Sequence, residues 1–546
     1  MKLKNILTGL SLAAVLVGCQ KGDLTSNPNL GSSASSTLLL NAITVRMAAG
    51  GGAVLNAAGA TTSETGAVPE ILTGGVYKYD QYYLSNYSYY WGTNTYTWSY
   101  SATQYDMLKY VDLLEEQAAV QFSSAPTTNI YAGLAKFFRA YAYIWLTQRV
   151  GDIPTTGSED NLQPEYTTQK EVYRTSLALL DSANTIIGNL ISTSSTISES
   201  TVVDESGDIF GLTYLQWQKT INAYRIRTLI SLSKRADDDD GTDLGIKDQF
   251  ATIINDATTY PLPTSNSDNL VFKYNSTNYY PLYQNAYNMY INICKTYLDL
   301  TTANEDPRTF AVATPASQQL DNGKTISDFA AYQGADANDG ISTLYTESAS
   351  GAYSFFNYNR YFTSSLGTTV SSTDATPEPY ILIGYPELCF NIAEGINRGW
   401  ASGDAASWYV NGIDASLELY GLTDGGSYNV SDSAGNSLGS VTVDITTFEN
   451  NVAYLGSTDG LQQILEQKYV AMFMNSGWEA YYNWRRTGYP SFSEGGSGIG
   501  TSGYTIPRRW QYPSSEQTEN ATNYQSAIQS QFGGSDDVTA DMWLTK

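Results

Sequence analysis

Apolar residues recur at three- and four-residue steps along several stretches, the spacing that lines up one face of an α-helix. Between Asn129 and Arg149 the stripe is Leu134, Phe137, Phe138, Tyr141, Ile144 and Trp145, and Gly151 and Pro154 end it. From Thr168 to Leu190 it is Val172, Leu179, Ala183, Ile186 and Ile187, and from Leu215 to Lys234 it is Leu215, Ile221, Leu229 and Leu232. Tyr287, Ile291, Cys294 and Leu298 line up in a fourth segment that ends near Asp299. Leu382 to Arg398 and Asp404 to Leu419 read as a helical hairpin joined by Gly399 to Gly403, and Leu461 to Met474 as a further helix.

Each stripe needs a neighbour to cover it, and most of these helices come in pairs with short connections. Paired helices of this size build tetratricopeptide-like arrays, but no fixed period is visible here. The expectation is therefore helix pairs folded into one body and wrapped by long insertions. Tyr77 to Tyr110 and Tyr274 to Tyr290 are dense in aromatics, with Ser, Asn and Thr between them. Ala311 to Thr373 is rich in Gly, Ser, Ala and Asn, with Tyr332, Tyr345, Tyr353, Phe355 and Phe356 scattered through it. Ser427 to Ile445 alternates Val with polar residues and reads as a small β-hairpin. Loops this long are functional or disordered, and their aromatic content argues against disorder.

The N-terminus changes the picture most. Lys2 and Lys4 precede an apolar run from Ile6 to Val17, and Leu16, Val17 and Gly18 lead into Cys19. A basic start, a short apolar stretch and small residues before a cut describe a secretory signal. The run is shorter than the roughly 20 residues that cross a bilayer. The expectation is a signal peptide over 1–18, acylation at Cys19 as at a bacterial lipobox, and a flexible Ser/Asn/Gly tether over 19–37. Several acyl chains on one residue anchor stably, since each buried CH₂ contributes about 0.8 kcal/mol.

Composition then excludes whole classes. The net charge is −25, and losing Lys2 and Lys4 makes the mature chain more acidic still. Such a surface repels nucleic acid. With Cys19 acylated, only Cys294 and Cys389 remain, too few for a disulfide framework; the expectation is two buried thiols, with one bridge as the alternative. There is no histidine, which removes Ser-His-Asp and Cys-His catalysis and nearly every catalytic zinc arrangement. Carboxylate-only chemistry, and so a glycoside hydrolase, survives. The 44 tyrosines offer apolar faces with a hydroxyl handle, suited to sugars and peptides, although most are expected in helix interfaces.

A set of short segments, in order along the chain, carries a resemblance. They are Arg139-Ala140-Tyr141 with Val150-Gly151-Asp152-Ile153-Pro154; Trp217, Lys219, Asn222-Ala223 and Arg227; and Asn304-Glu305-Asp306-Pro307-Arg308. Then come Ala393-Glu394, Gly399, Ala405, Tyr409, Gly412-Ile413 and Ser416; Gln467-Lys468-Tyr469; and Glu479-Ala480 with Trp484-Arg485-Arg486-Thr487-Gly488-Tyr489-Pro490. Ile506-Pro507-Arg508-Arg509 leads into Tyr512-Pro513, Glu516, Asn520 and Asn523-Tyr524. Together they resemble the SusD/RagB family of outer-membrane lipoproteins, in its SusD-like 2 branch. The resemblance implies a mainly α, single SusD-like domain over 38–546, with four tetratricopeptide-like helix pairs as scaffold, long irregular loops and minor β-hairpins. It also implies an outward-facing place on the outer membrane and a SusC-like, TonB-dependent transporter as partner. The ligand would be a glycan or a peptide, bound reversibly with no cofactor and no chemistry done on it.

The same resemblance directs the ligand to aromatics before the first helix pair and in the insertion after the second. Here those are Tyr90, Trp91, Tyr96 and Trp98, then Tyr279, Tyr280 and Tyr283, with Tyr89 beside them and Asn86, Asn94, Asn278 and Asn285 as hydroxyl partners. Trp91 and Trp98 stand out, because a Trp in a Tyr/Ser/Asn loop is hard to explain as core. The motif residues read as structural: Asn222 and Arg227 in polar pairing inside the bundle, Arg485 and Arg486 pinning a turn, Asp306-Pro307-Arg308 as a helix stop with an ion pair. Asp237 to Asp240 with Gly241 and Asp243 fails the EF-hand pattern, since Ala236 stands at the first ligand place and Lys247 at the twelfth; a solvated turn is expected and no metal, with a part in one irregular calcium site as the alternative. Glu387 and Glu394 lie seven apart and share a helix face, paired carboxylates that a hydrolase reading would need in a cleft.

Overall fold

A computed structural model describes residues 34–48, 76–87, 103–157, 161–274, 289–362, 378–494 and 506–546. Its first five long helices are α1 (Ser36–Ala48), α2 (Thr103–Gln121), α3 (Ile130–Val150), α4 (Gln169–Thr193) and α5 (Tyr214–Ser231), and each packs on the next. The α3 boundaries follow from capping. The Asn129 side chain accepts the Ala132 N–H at 2.9 Å, and Gly151 closes the far end at φ +100°, a backbone that only glycine adopts freely. A Cβ there would also lie 2.2 Å from Gln531 Oε1. Nearly every α3 residue is buried, because α2 and α4 cover it from both sides. α4 buries Val172, Tyr173, Leu177, Leu180, Ala183 and Ile187, a stripe turned slightly from the expected one, so that Leu179 and Ile186 are half-buried. α5 opens with a capping box between Thr213 and Gln216.

The second half packs onto α5. α6 (Ile246–Asn255) lies against it; α7 (Lys295–Ala303) follows; α8 (Tyr385–Asn397) crosses from α5 to α9 (Ala405–Leu419) and α10 (Ser457–Ala471). α11 (Glu479–Thr487) and α12 (Ala521–Phe532) follow toward the C-terminus. Phe390, Tyr409, Ile413, Phe448 and Ile464 form a satellite apolar cluster under α8–α10, beside the main core.

Among the described residues, four two-stranded antiparallel sheets staple the loops down. β1 (Tyr83–Ser85), β2 (Ile153–Pro154), β3 (Tyr166–Thr167), β4 (Leu270–Phe272), β5 (Ile291–Ile293), β6 (Tyr380–Ile383), β7 (Ser427–Ser431) and β8 (Ser437–Thr442) pair as β1–β5, β2–β3, β4–β6 and β7–β8. The last is the hairpin expected from the Val alternation. Two expected helices are shorter than the periodicity suggests. Ile291 and Ile293 are a buried strand, and α7 starts only at Lys295. Tyr380–Ile383 is a strand, and α8 starts at Tyr385 after Gly384, with Pro386 in its first turn where a missing N–H costs nothing.

Candidate functional site

The register of β1 with β5 sets Ser85 opposite Ile291, so the chain leaves β1 and re-enters β5 at one place. Asn86 fastens that end. Its N–H donates to the Tyr290 carbonyl at 2.9 Å, and its Nδ2 donates to Asn292 Oδ1 at 2.7 Å and Ser348 Oγ at 2.8 Å. Asn86 is buried, so it works as a structural clamp and not as an open hydroxyl partner. Beyond it the rings of Tyr87 and Tyr290 stack with centroids 4.4 Å apart, and Tyr345 stands 6.4 Å from Tyr87. Tyr345 sits on the short helix Ile341–Ala349, which buries Leu344 and Ser348 and turns Tyr345 outward, 53% exposed. Met289 beside it is 66% exposed. The result is an aromatic shelf whose ring faces suit the C–H face of a sugar or an apolar peptide side chain.

Trp91, Trp98, Tyr90 and Tyr96, with Tyr89 and Asn94, lie outside the described residues, as do Tyr279, Tyr280, Tyr283, Asn278, Asn285 and Cys19. The described residues that flank both aromatic segments, Tyr87 on one side and Met289 and Tyr290 on the other, stand side by side. The shelf residues Tyr87, Tyr290 and Tyr345 were not singled out from the sequence. Their type was visible, but their convergence depends on a strand pairing about 200 residues apart in the chain.

The paired carboxylates are taken up structurally. Glu387 pairs with Arg227, whose Nε donates to Oε1 at 2.7 Å, and both side chains are buried. Burial alone would raise the Glu387 carboxyl; Arg227 and Lys468 outweigh it and hold it below the usual range. Glu394 is fully buried and accepts from Arg486 Nη2 at 2.9 Å and Arg398 Nε at 2.8 Å. There too burial acts upward, and Arg486 and Arg398 carry the carboxyl down to about 2. A general acid for glycoside cleavage needs a raised value; both groups are pushed the other way. Burial lowers the Lys468 ammonium to about 8, against the pull of Glu387 and Glu394, and its Nζ donates to Asn391 and Asn483.

The remaining motif residues act as struts. Arg308 is bound by Asp306 at 2.6 Å with both side chains buried, and reaches Ser416 at 3.0 Å. Asn222 donates to Asn184 and to the Pro261 carbonyl. Arg485 does not pin its own turn; it donates to the Arg508 and Gln148 carbonyls, while Arg486 goes to Glu394 and Ser233, and Thr487 closes the turn through Asn483 and Tyr489. The acidic run starts in the expected turn, with Asp237 well exposed, and passes at Asp238, its cap, into a short helix, Asp239–Leu244. Its carboxylates meet cations: Asp240 and Asp243 meet Lys170 at 2.7 and 2.8 Å, and Asp238 meets Arg235 at 2.6 Å. Among the described residues no cluster of three or more acidic or Cys side chains is placed to hold a metal ion. Cys294 and Cys389 are free, buried thiols.

No curated protein matches this chain. Solved structures do. A SusD homolog from Bacteroides fragilis is 26% identical, with a TM-score of 0.71 over 94% of this chain and 100% of the other. A second from the same species is 27% identical, with a TM-score of 0.69 over 94% and 100%. A chitin-binding SusD homolog from Flavobacterium johnsoniae is 18% identical, with a TM-score of 0.62 over 93% and 97%, a likeness of fold. Residues 32–513 match the SusD-like family described as starch-binding and associating with the outer membrane, and the chain belongs to that family.

Proposed function

We propose that this protein is a nutrient-binding lipoprotein of the outer membrane that holds a glycan or oligosaccharide at the cell exterior and passes it to a SusC-like, TonB-dependent transporter. Cys19, acylated after removal of residues 1–18, is the anchor; 19–37 is the tether; 38–546 is one binding domain whose helices act as four tetratricopeptide-like pairs. No helix among the described residues is long and apolar enough to cross a membrane. Trp91, Trp98, Tyr90 and Tyr96 join Tyr279, Tyr280 and Tyr283 as the ligand face.

One observation carries the reading: the aromatic shelf of Tyr87, Tyr290 and Tyr345, half-buried at the first two and exposed at Tyr345, stands where the flanks of both aromatic segments meet. The chitin-binding relative supports a carbohydrate as the ligand class. The test is retardation of the mature, unlipidated chain in affinity gels containing soluble polysaccharides, with Trp91→Ala, Trp98→Ala and Tyr345→Ala alongside. Retardation by one glycan, weakened in these variants, is the expected result. No retardation by any glycan, with peptides binding in calorimetry, overturns the carbohydrate assignment. Polysaccharide hydrolysis abolished by one carboxylate-to-amide change would make the protein an enzyme.

A further inference from the structure

Arg227 on α5, Lys468 on α10, and Arg485 and Arg486 on α11 meet at one small hollow in the core. Leu544 and Thr545 of the last turn form another of its walls. The Leu544 N–H donates to Gln169 Oε1 at 2.9 Å, and Lys234 Nζ donates to the Thr545 carbonyl at 2.6 Å. The hollow measures ≈ 10 Å³, room for one water-sized body.

The charges around it do not balance. Glu387 neutralises Arg227, and Glu394 is shared by Arg486 and Arg398. Glu479 is the one carboxylate in the lining itself. Three carboxylates therefore face five cations. Among the described residues Lys468 and Arg485 touch no carboxylate, and neutral groups hold both. Lys468 Nζ donates to Asn391 Oδ1 at 2.6 Å and Asn483 Oδ1 at 3.0 Å, which leaves the third N–H of the ammonium without an acceptor. Arg485 gives Nη1 to the Arg508 carbonyl at 2.8 Å and Nη2 to the Gln148 carbonyl at 2.9 Å, with its guanidinium 4.8 Å from the centre of the Tyr482 ring. The Lys468 amine stays charged at pH 7, since burial brings it down only to about 8. Nearby acceptors are already taken: Asn483 Oδ1 also receives Arg486 Nη2, and the Thr545 carbonyl receives Lys234. Buried positive charge without a counter-ion is costly, and a hollow with a spare donor and occupied acceptors suits a body that only accepts.

We propose that the hollow binds one monatomic anion, chloride in a saline medium. The ion accepts the spare Lys468 N–H and supplies the negative charge that Lys468 and Arg485 lack. It carries no proton of its own and so needs no acceptor, whereas a water in the same place would have to find two. The size of the hollow excludes phosphate, sulfate and any carboxylate-bearing ligand. Bound there, the ion ties α10 to α11 beside the last turn and stabilises the fold; glycan binding plays no part in it.

The test is calorimetric melting of the mature chain and of its Lys468→Met variant at constant ionic strength, with sodium gluconate exchanged stepwise for sodium chloride. General salt effects act on both chains alike. The parent's melting temperature should rise saturably, by about 2–3 °C more than the variant's once chloride exceeds its dissociation constant about a hundredfold. Crystals of the parent soaked in sodium bromide supply a measurement that no variant's folding can spoil: an anomalous peak should stand in the hollow against Lys468 Nζ. An equal chloride response in parent and variant overturns the proposal. So does a bromide map with no peak there, which makes the hollow a site for water or an empty one.

Discussion

Glu394→Gln should lower the melting temperature by about 3–5 °C at pH 7, although it changes no side-chain volume to speak of. The wild-type carboxylate is fully buried between Arg486 and Arg398, and its carboxyl is held at about 2 against an ordinary 4.5. At about 1.4 kcal/mol per pKa unit, that depression corresponds to about 3 kcal/mol in favour of the folded state. Removing one partner of a buried ion pair independently costs about 3–5 kcal/mol, because the other charge is left uncompensated. Unfolding entropy of about 2.1 cal/mol/K per residue gives about 1 kcal/mol/K for a body of about 500 residues, which converts the loss to the stated shift.

The pH dependence tests the cause. The folded value lies below the unfolded one, so the stabilisation is complete above about pH 4.5 and disappears as the pH falls toward about 2. Calorimetric or urea-midpoint stabilities of parent and variant, measured at pH 7, 5, 4 and 3, should therefore converge at the acid end. Arg486→Met and the double variant close a cycle, whose coupling should be positive and of order 1–3 kcal/mol. A melting shift under about 1 °C at pH 7, or a gap that stays constant down to pH 3, refutes the assignment of Glu394 as a buried counter-ion.

Other outcomes follow from single residues. Tyr345→Ala should weaken glycan retention while leaving the melting temperature within about 1 °C, since the ring is more than half exposed; a large fall in stability with unchanged retention would contradict the shelf. Asn86→Ala should lose about 1–3 kcal/mol, because Asn292 and Ser348 lose a buried donor, and should weaken ligand retention as well; urea midpoints and gels read the two effects. Burial pushes the thiols of Cys294 and Cys389 up to about 12, so a chain beginning after Cys19 should not react with an aromatic disulfide reagent at pH 8 until denatured, when both thiols should titrate.

How much of this was legible in the sequence depends on the range of the interactions. α3, α4 and α5 were readable because helix formation is local: a stripe at three and four residues, an Asn or Thr cap, a Gly stop. β5 was not. Ile291, Cys294 and Leu298 share helical spacing by coincidence, while the alternation of Ile291 and Ile293 about Asn292 means a strand only if a partner exists, and that partner is Tyr83–Ser85. The same limit governs the carboxylates. Seven-residue spacing placed Glu387 and Glu394 on one face, but whether that face meets a cleft or a guanidinium is decided by Arg227 and Arg486, 160 and 92 residues away. The shelf of Tyr87, Tyr290 and Tyr345 is a product of long-range pairing in the same way.

Charge shows the point from the opposite direction. Composition gives 29 cationic against 54 acidic side chains, and that balance alone excluded nucleic acid. The fold sharpens it. Among the described residues nine Lys and Arg are buried but only seven Asp and Glu, so the interior takes close to a third of the cations and a far smaller share of the acids. The surface is therefore more acidic than the composition suggests. A field of that sign repels anionic ligands at long range and leaves neutral ones unaffected. Under the proposed function, recognition then falls to short-range ring stacking and hydrogen bonds, the chemistry that the shelf of Tyr87, Tyr290 and Tyr345 offers to a neutral sugar.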